Sequence, residues 1–322
     1  MPTSAEGLTF RRYELGPGVS LSALIAPGED RCGIYVLHYA DGSQYVGQSV
    51  DVVTRFATHS RHTGRVPGER IIRLDFAPVP EPVLDAHERA VITNRGAAGT
   101  ALRNKLLTGM PVGSSVLDET IEVAEQLAFL ADADETGLVD PAACVRTPRA
   151  VGPKPGAARL LGRADAAVVL DVLAAYLLHA LPEPVATEGT FWHLSAPMRQ
   201  VGDGVRVLVR LTVQNVETIY LVEDPQLGVF AAVNLAPLPQ LHADYGSAET
   251  GHYSSNGPMQ RAELYPEGVV ESLTGDPVFR TAARRATVGL MRKGTAMKAS
   301  THDWGLADAV YARIDTALKE NA

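Results

Sequence analysis

The sequence predicts a mixed α/β (α+β) protein of two domains, and three observations carry that reading. Two short apolar runs bearing tyrosines flank an Asp41-Gly42 turn signal and read as a β-hairpin. Helical and strand-like stretches alternate after it to about residue 110. A Pro/Gly-rich stretch, 145–163, then separates this unit from a second α+β segment. A chain of 322 residues is long enough to bury two ordinary cores.

The elements follow in order. After the hairpin of residues 33–47, Ser49 is the expected N-cap of a helix running to about His62. Val52, Val53 and Phe56 form its apolar stripe, and Arg55, His59 and His62 line another face at helical spacing. Arg70 to Val79 alternates with period two and reads as a third strand. Pro82 opens a helix to about Asn94, closed by Gly96 and Gly99. Residues 118–135 are acidic and alanine-rich, a helix with a solvated face. The boundaries expected are 1–110, a connecting stretch 111–163, and a second domain 164–322. In that domain Ala164 to Ala180 reads as a buried helix. Thr190 to Asn234 reads as a β-meander with turns at Gly202-Asp203-Gly204 and Asp224-Pro225, and 276–320 as C-terminal helices.

Composition narrows the class. A hydrophobic content of 46% and a mean hydropathy near zero describe a soluble globular protein. No apolar run is long enough to span a membrane, and no secretory signal pattern opens the sequence. Two cysteines, Cys32 and Cys144, are too few for a disulfide scaffold or zinc module, so a cytoplasmic setting fits. The net charge of -8 argues against a strong non-specific nucleic-acid binder. Its distribution softens that objection. Residues 1–110 hold 12 Lys+Arg against 11 Asp+Glu, so the acidity lies in the remainder.

The stretch Gly33-Ile34-Tyr35 followed by Tyr45-Val46-Gly47 resembles the signature of the GIY-YIG nucleases. The resemblance continues through Arg55 and His59, then Glu88, then Asn104, covering roughly residues 32–105. It implies a small three-stranded sheet flanked by helices, with a shallow site on one face. The implied activity is cleavage of phosphodiester bonds in DNA, double-stranded in the leading reading, with Mg²⁺ or Mn²⁺.

Each position has a bland alternative. Leu84, Glu88, Val91 and Ile92 share a helix face, so Glu88 interrupts an apolar stripe. There a charge is costly unless paired or bound to metal. On the helix alone, a rotated face with Glu88 solvated or arginine-paired is the commoner outcome. The resemblance makes it the metal ligand, and one carboxylate suits Mg²⁺. Tyr45 matches the tyrosine that positions or deprotonates the attacking water, with Tyr35 beside it; otherwise both simply pack a sheet. If the two share a site, the hairpin needs a three-residue loop with a glycine bulge, because a strict Asp41-Gly42 turn would point them to opposite faces. Arg55 matches the arginine that grips the scissile phosphate. His59 matches a histidine that assists proton transfer in the restriction-enzyme branch. Asn104 matches the asparagine that braces the site, with Asn94 as fallback. Gln48 departs from the lysine some members carry and is placed among the nucleic-acid contacts. His38, Arg61, His62 and Arg65 surround the site.

In the second half, Arg280, Arg284, Arg285, Arg292, Lys293 and Lys298 occur with no acidic residue among them. They read as a basic stripe for a nucleic-acid backbone or, as blandly, a solvated helix. His242 and His252 read as ordinary loop histidines. The leading context is a restriction or phage-defence nuclease, with a homodimer expected if the target is a palindrome. A structure-specific or nicking repair nuclease is the runner-up. A catalytically retired module binding nucleic acid or protein is the alternative from another class.

Overall fold

The structure, a computed structural model, describes residues 7–16, 19–62, 68–131, 144, 147–149, 151–241, 246–247 and 256–320. The chain divides into two compact units, Met1–Ser114 and Ser115–Ala322, and both are mixed α and β.

The first unit is built on strands β1 (Arg11–Glu14), β2 (Gly33–Tyr39), β3 (Gln44–Ser49) and β4 (Ile71–Pro78), in the antiparallel order β1-β4-β2-β3. The expected three-stranded sheet therefore has a fourth strand. Arg-Arg-Tyr-Glu gave no sign of it because the segment is largely exposed, with only Tyr13 half-buried. Such charged side chains suit an edge strand, where they discourage further pairing. Every residue of β2 is buried, as befits a central strand covered on both faces. One face packs under α1 (Leu21–Leu24) and α2 (Val52–His62) through Leu21, Ile25, Val52, Phe56 and Phe76. The other packs under α3 (Leu84–Ala97) through Ile34, Val36, Val46, Leu84, Val91 and Ile92.

Local chemistry fixes these elements with one change of cap. Asp51, rather than Ser49, caps α2 by accepting the Val53 and Thr54 N–H groups at 2.9 and 3.1 Å. The β2–β3 hairpin pairs Tyr35 with Gly47 and Leu37 with Tyr45. Its loop is the three-residue form: Tyr39 N–H bonds Ser43 O, Gly42 N–H bonds Tyr39 O, and Gly42 has φ +84°. That is a turn ending in a left-handed glycine. Tyr35 and Tyr45 consequently face the same side.

In the second unit β5 (Trp192–Ser195), β6 (Arg199–Gln200), β7 (Arg206–Val213), β8 (Val216–Asp224), β9 (Gly228–Leu235), β10 (Gly246–Ser247) and β11 (Gln260–Leu264) form one sheet. Its order is β10-β11-β9-β8-β7-β5, with β6 also on β7. The expected meander is β7-β8-β9. The helices are α4 (Val123–Ala131), α5 (Pro155–Leu161), α6 (Ala166–Ala180), α7 (Pro184–Thr187), α8 (Pro266–Gly275), α9 (Pro277–Lys293) and α10 (Trp304–Glu320). Helix α9 lies against β7, β8 and β9, and α6 against α8, α9 and α10.

The stretch read as a linker is partly ordered structure of this unit. Pro155 starts α5 as a first-turn proline. A Cβ at Gly156 would stand 1.9 Å from Ala196 O, so only glycine admits that approach. Among the described residues no helix is long and apolar enough to cross a membrane.

Candidate active site

The site assembles along β3, on the side of the sheet that packs under α2. Tyr35 lies across the strand from Gly47, and a Cβ on Gly47 would sit 2.4 Å from the phenol Cζ and hydroxyl. The second glycine of the signature thus makes room for the tyrosine of the first. Gly33 has a similar reason: its Cβ would stand 2.1 Å from Ala77 O on β4.

Arg55 and His59, one turn apart on α2, both reach the Tyr35 hydroxyl. Arg55 Nε donates to it at 3.3 Å, and His59 Nε2 lies 3.0 Å away. Guanidinium can only donate, so the phenol oxygen accepts there. Its own proton is then free for His59 when that ring is neutral and carries hydrogen on Nδ1. The Tyr45 hydroxyl lies near enough to add to the hold on the Arg55 charge. The Tyr45 ring centroid is 5.1 Å from that of His59 and 6.3 Å from that of Tyr35. Burial pushes the Tyr35 phenol well above its ordinary pKa, Tyr45 and Glu88 push the same way, and Arg55 opposes them. Tyr35 is therefore a phenol at neutral pH. The hydrogen bond to Tyr35 holds Arg55 above its usual value. Arg55 is largely exposed, so its outward edge can meet an anion.

The outer edge of β3 explains how two distant residues join this group. Its outward backbone groups are capped in succession. Gln44 N–H bonds Ala101 O, and Arg103 N–H bonds Gln44 O. Asn104 then takes both groups of Val46, accepting its N–H at 3.0 Å and donating to its carbonyl at 2.8 Å. Glu88, on α3, stands next along this edge, near enough to the Gln48 backbone and side-chain amides for them to lower its carboxyl. Asn104 is thus a buried brace, and Asn94 is not needed in that role.

Glu88 is half-buried beside buried Leu84, Val91 and Ile92, as the helix pattern required. Burial raises its carboxyl above the ordinary range and Asp85 adds to this, against the Gln48 hydrogen bonds and the charge of Arg89. Its charge is also near enough to Tyr35 to oppose phenolate formation. Asp85, one turn earlier, bonds the same Gln48 amide. The sequence reading gave Asp85 no part in the site, although its i, i+3 spacing from Glu88 was the available signal.

Among the described residues no three His, Cys, Asp or Glu side chains group to hold a metal ion. A desolvated carboxylate whose partners are amides and a neighbouring acid nevertheless fits a hard divalent cation. Mg²⁺ takes one or two carboxylates and completes its shell with water. Glu88 would hold it, with Asp85 alongside.

Other sequence candidates stand elsewhere. His38 bonds Asp75 at 2.8 Å and receives Arg73, in a buried polar cluster on the α3 face of the sheet. Arg65, His242, His252 and the side chains of Arg61 and His62 lie outside the described residues.

The basic stripe of the second unit is corrected. Arg284 is fully buried and donates to His179 O and Phe129 O, both at 2.9 Å. Buried Arg280 donates to Leu273 O and Thr274 O. Arg292 bonds Asp118 and Gln126. Lys293 bonds Asn256 O, and burial lowers its amine to about 7. Of these residues on α9, Arg285 alone is exposed. The reason is that α9 is enclosed nearly all round, so charge spacing on it marks no solvent face. The exposed Lys298 follows the helix. Comparison with protein-family models, curated proteins and solved structures finds no match to this chain.

Proposed function

We propose that the first unit is a metal-dependent phosphodiester hydrolase of the GIY-YIG type, an endonuclease acting on DNA. One observation carries the reading. Arg55 and His59 meet at the Tyr35 hydroxyl, while Glu88 stands near Gln48, the β3 residue next to the glycine over which Tyr35 lies.

Hydrolysis needs a deprotonated water, neutralised charge on the phosphoryl oxygens and a protonated leaving oxygen. Arg55 holds the scissile phosphate, its guanidinium oriented by the two tyrosine hydroxyls. The Tyr45 hydroxyl orients the water. Its proton passes to His59, with the Tyr35 hydroxyl as the link, and solvent protonates the leaving oxygen as the P–O bond breaks. A divalent cation on Glu88 would supply Lewis-acid stabilisation of the phosphate charge. Asn104 and Gln48 act by position, fixing the β3 edge and the Glu88 carboxylate. Gln48 occupies the place where a lysine could serve, so charge assistance from that position is absent.

Plasmid DNA with purified protein and Mg²⁺ tests the reading. Discrete linear fragments, lost with EDTA, support a sequence-directed endonuclease, the restriction or defence context. Nicks alone, or preference for branched substrates, favour a repair enzyme. Folded protein that cleaves none of these with Mg²⁺ or Mn²⁺ would leave the retired binding module as the better account.

A further inference from the structure

We infer that a pocket on the second sheet binds a single nucleotide, its base against Tyr220 and its phosphate toward Arg210 and Lys298. The inference goes beyond the nuclease reading and survives its failure, since every residue involved belongs to the second unit.

The floor is made of two cross-strand rows. Arg210 pairs with Tyr220, and Thr212 pairs with both His193 and Glu217. Directly paired residues point to the same face, so these side chains share one side of the sheet. Alternate residues Leu211, Val213, Ile219 and Val233 are buried in the core. An exposed sheet face is usually polar, so the rows alone mean little. Here the face is walled. Ala296 N–H bonds Thr190 O at 2.7 Å and Met297 N–H bonds Gln214 O at 2.9 Å, which holds the segment before Lys298 along the sheet edge. The result is a cavity of about 520 Å³, of the size that takes a small organic ligand.

The chemistry of the lining selects among ligands. His193 is 3% exposed, lines the cavity, and its Nδ1 has no hydrogen-bond partner. Burial, with His302, Arg210 and Lys298 pushing the same way and Glu217 opposing, lowers it to about 4. It is therefore a neutral donor and acceptor at pH 7. The amides of Gln214 and Asn215 and the Thr212 hydroxyl extend this neutral set along one wall. Gln214 has φ +55°, at a tight-turn position that favours glycine. Backbone strain at a non-glycine residue lining a cavity is where function is sought.

Neutral donors and acceptors suit the edge of a heteroaromatic base. Tyr220 supplies a ring for stacking, with Arg261 5.7 Å from its centroid. Arg210, ion-paired at 3.3 Å with Glu217, which also lines the pocket, and exposed Lys298 leave the lining net positive. A bare anion would have no use for the amide wall, and a neutral sugar none for the cations. The nucleotide has two sources of the same chemistry: a free mononucleotide, or one extruded from a strand.

Calorimetric titration of the full chain with the four deoxynucleoside 5′-monophosphates, with a neutral disaccharide as comparison, tests the pocket. A duplex carrying 2-aminopurine, which brightens on unstacking, tests the second source. The expected result is saturable binding of at least one mononucleotide or an aminopurine rise. Tyr220→Ala should weaken it about tenfold or more, and Lys298→Glu severalfold, with unchanged thermal midpoints for Lys298→Glu. Aminopurine response without free-nucleotide binding assigns the pocket to strand DNA; the reverse assigns it to a soluble nucleotide. Glu88→Ala should leave either signal intact. No binding and no aminopurine change with folded protein overturns the inference. So does binding indifferent to both substitutions, or equal affinity for the disaccharide.

Discussion

Arg55 and Arg284 are both helix arginines, and they do opposite work. Arg55 stands on an amphipathic helix, contacts two phenols with one edge and leaves the other in solvent. Arg284 stands on a helix enclosed almost all round and spends its guanidinium on two carbonyls, with the Phe129 ring 4.4 Å away. The contrast extends to the units that hold them. The first sets Arg55 and His59 around the Tyr35 hydroxyl on the α2 side of its sheet. The second buries charged and titratable groups inside its fold. Position on a helix face, rather than residue type, decides whether a cation is left open to solvent or builds a core.

Acid should separate the two units most strongly. Burial lowers His179 to about 4, aided by Arg280 and Arg284, and His193 likewise to about 4. Between pH 6.5 and 4 the unfolded chain takes up these protons and the folded chain does not. The stability these two histidines contribute is therefore complete above pH 6.5 and falls as pH drops toward 4, on the order of 3 kcal/mol for each. In the first unit burial pushes Asp75 up, but His38, Arg73 and Arg12 outweigh it and hold the carboxyl below its usual range. Its contribution is present above the unfolded carboxylate pKa and is lost only as pH falls below that. Trp192 and Trp304, the two tryptophans of the chain, both lie in the second unit, so tryptophan emission reports that unit alone. Emission should shift between pH 6.5 and 4. A second unit unmoved until below pH 4 would break the comparison.

Next in size is Arg284→Ala. It leaves the buried His179 carbonyl and the half-buried Phe129 carbonyl without this donor and opens a cavity, which should cost about 3–5 kcal/mol in denaturant titration. A loss below about 1 kcal/mol would mean that Arg284 is not structural.

These cases show which parts of the molecule were legible. The hairpin, the bulged loop and the α3 carboxylate could be read because turn chemistry and helical period are local. Strand β1 could not, since an edge strand of charged residues carries no alternating pattern. Asn104 was placed by resemblance, and its physical role, capping Val46, appears only once residues 101–104 lie beside β3. The burial of α9 had a signal that went unread. Ala282, Ala283, Ala286 and Gly289 thread small residues between its cations, and small residues on several faces of a helix mark close packing all round. The wall formed by residues 296–298 depends on distant pairings and left no trace in the sequence.

Gly47→Ala should act through Tyr35 alone. The added carbon meets the phenol at 2.4 Å, so the ring must move away from Arg55 and His59. About 1–3 kcal/mol of stability should go with it, and cleavage should fall as far as in Tyr35→Phe, roughly 100-fold or more. Cleavage kept at the wild-type rate would remove Tyr35 from the mechanism. Arg285→Ala is the smallest case. Exposed on α9, it should change stability by less than about 0.5 kcal/mol, and a larger change in a melting curve would contradict the assignment of that face.

The most direct test compares the initial rate of Mg²⁺-dependent DNA cleavage with the thermal midpoint, side by side, for wild type, Arg55→Ala and Glu88→Gln. Both substitutions should cut the rate by about 10²–10³ or more while the midpoint stays within a few degrees of wild type. Cleavage that survives either substitution, or is absent from the folded wild-type protein with Mg²⁺ and with Mn²⁺, would contradict it.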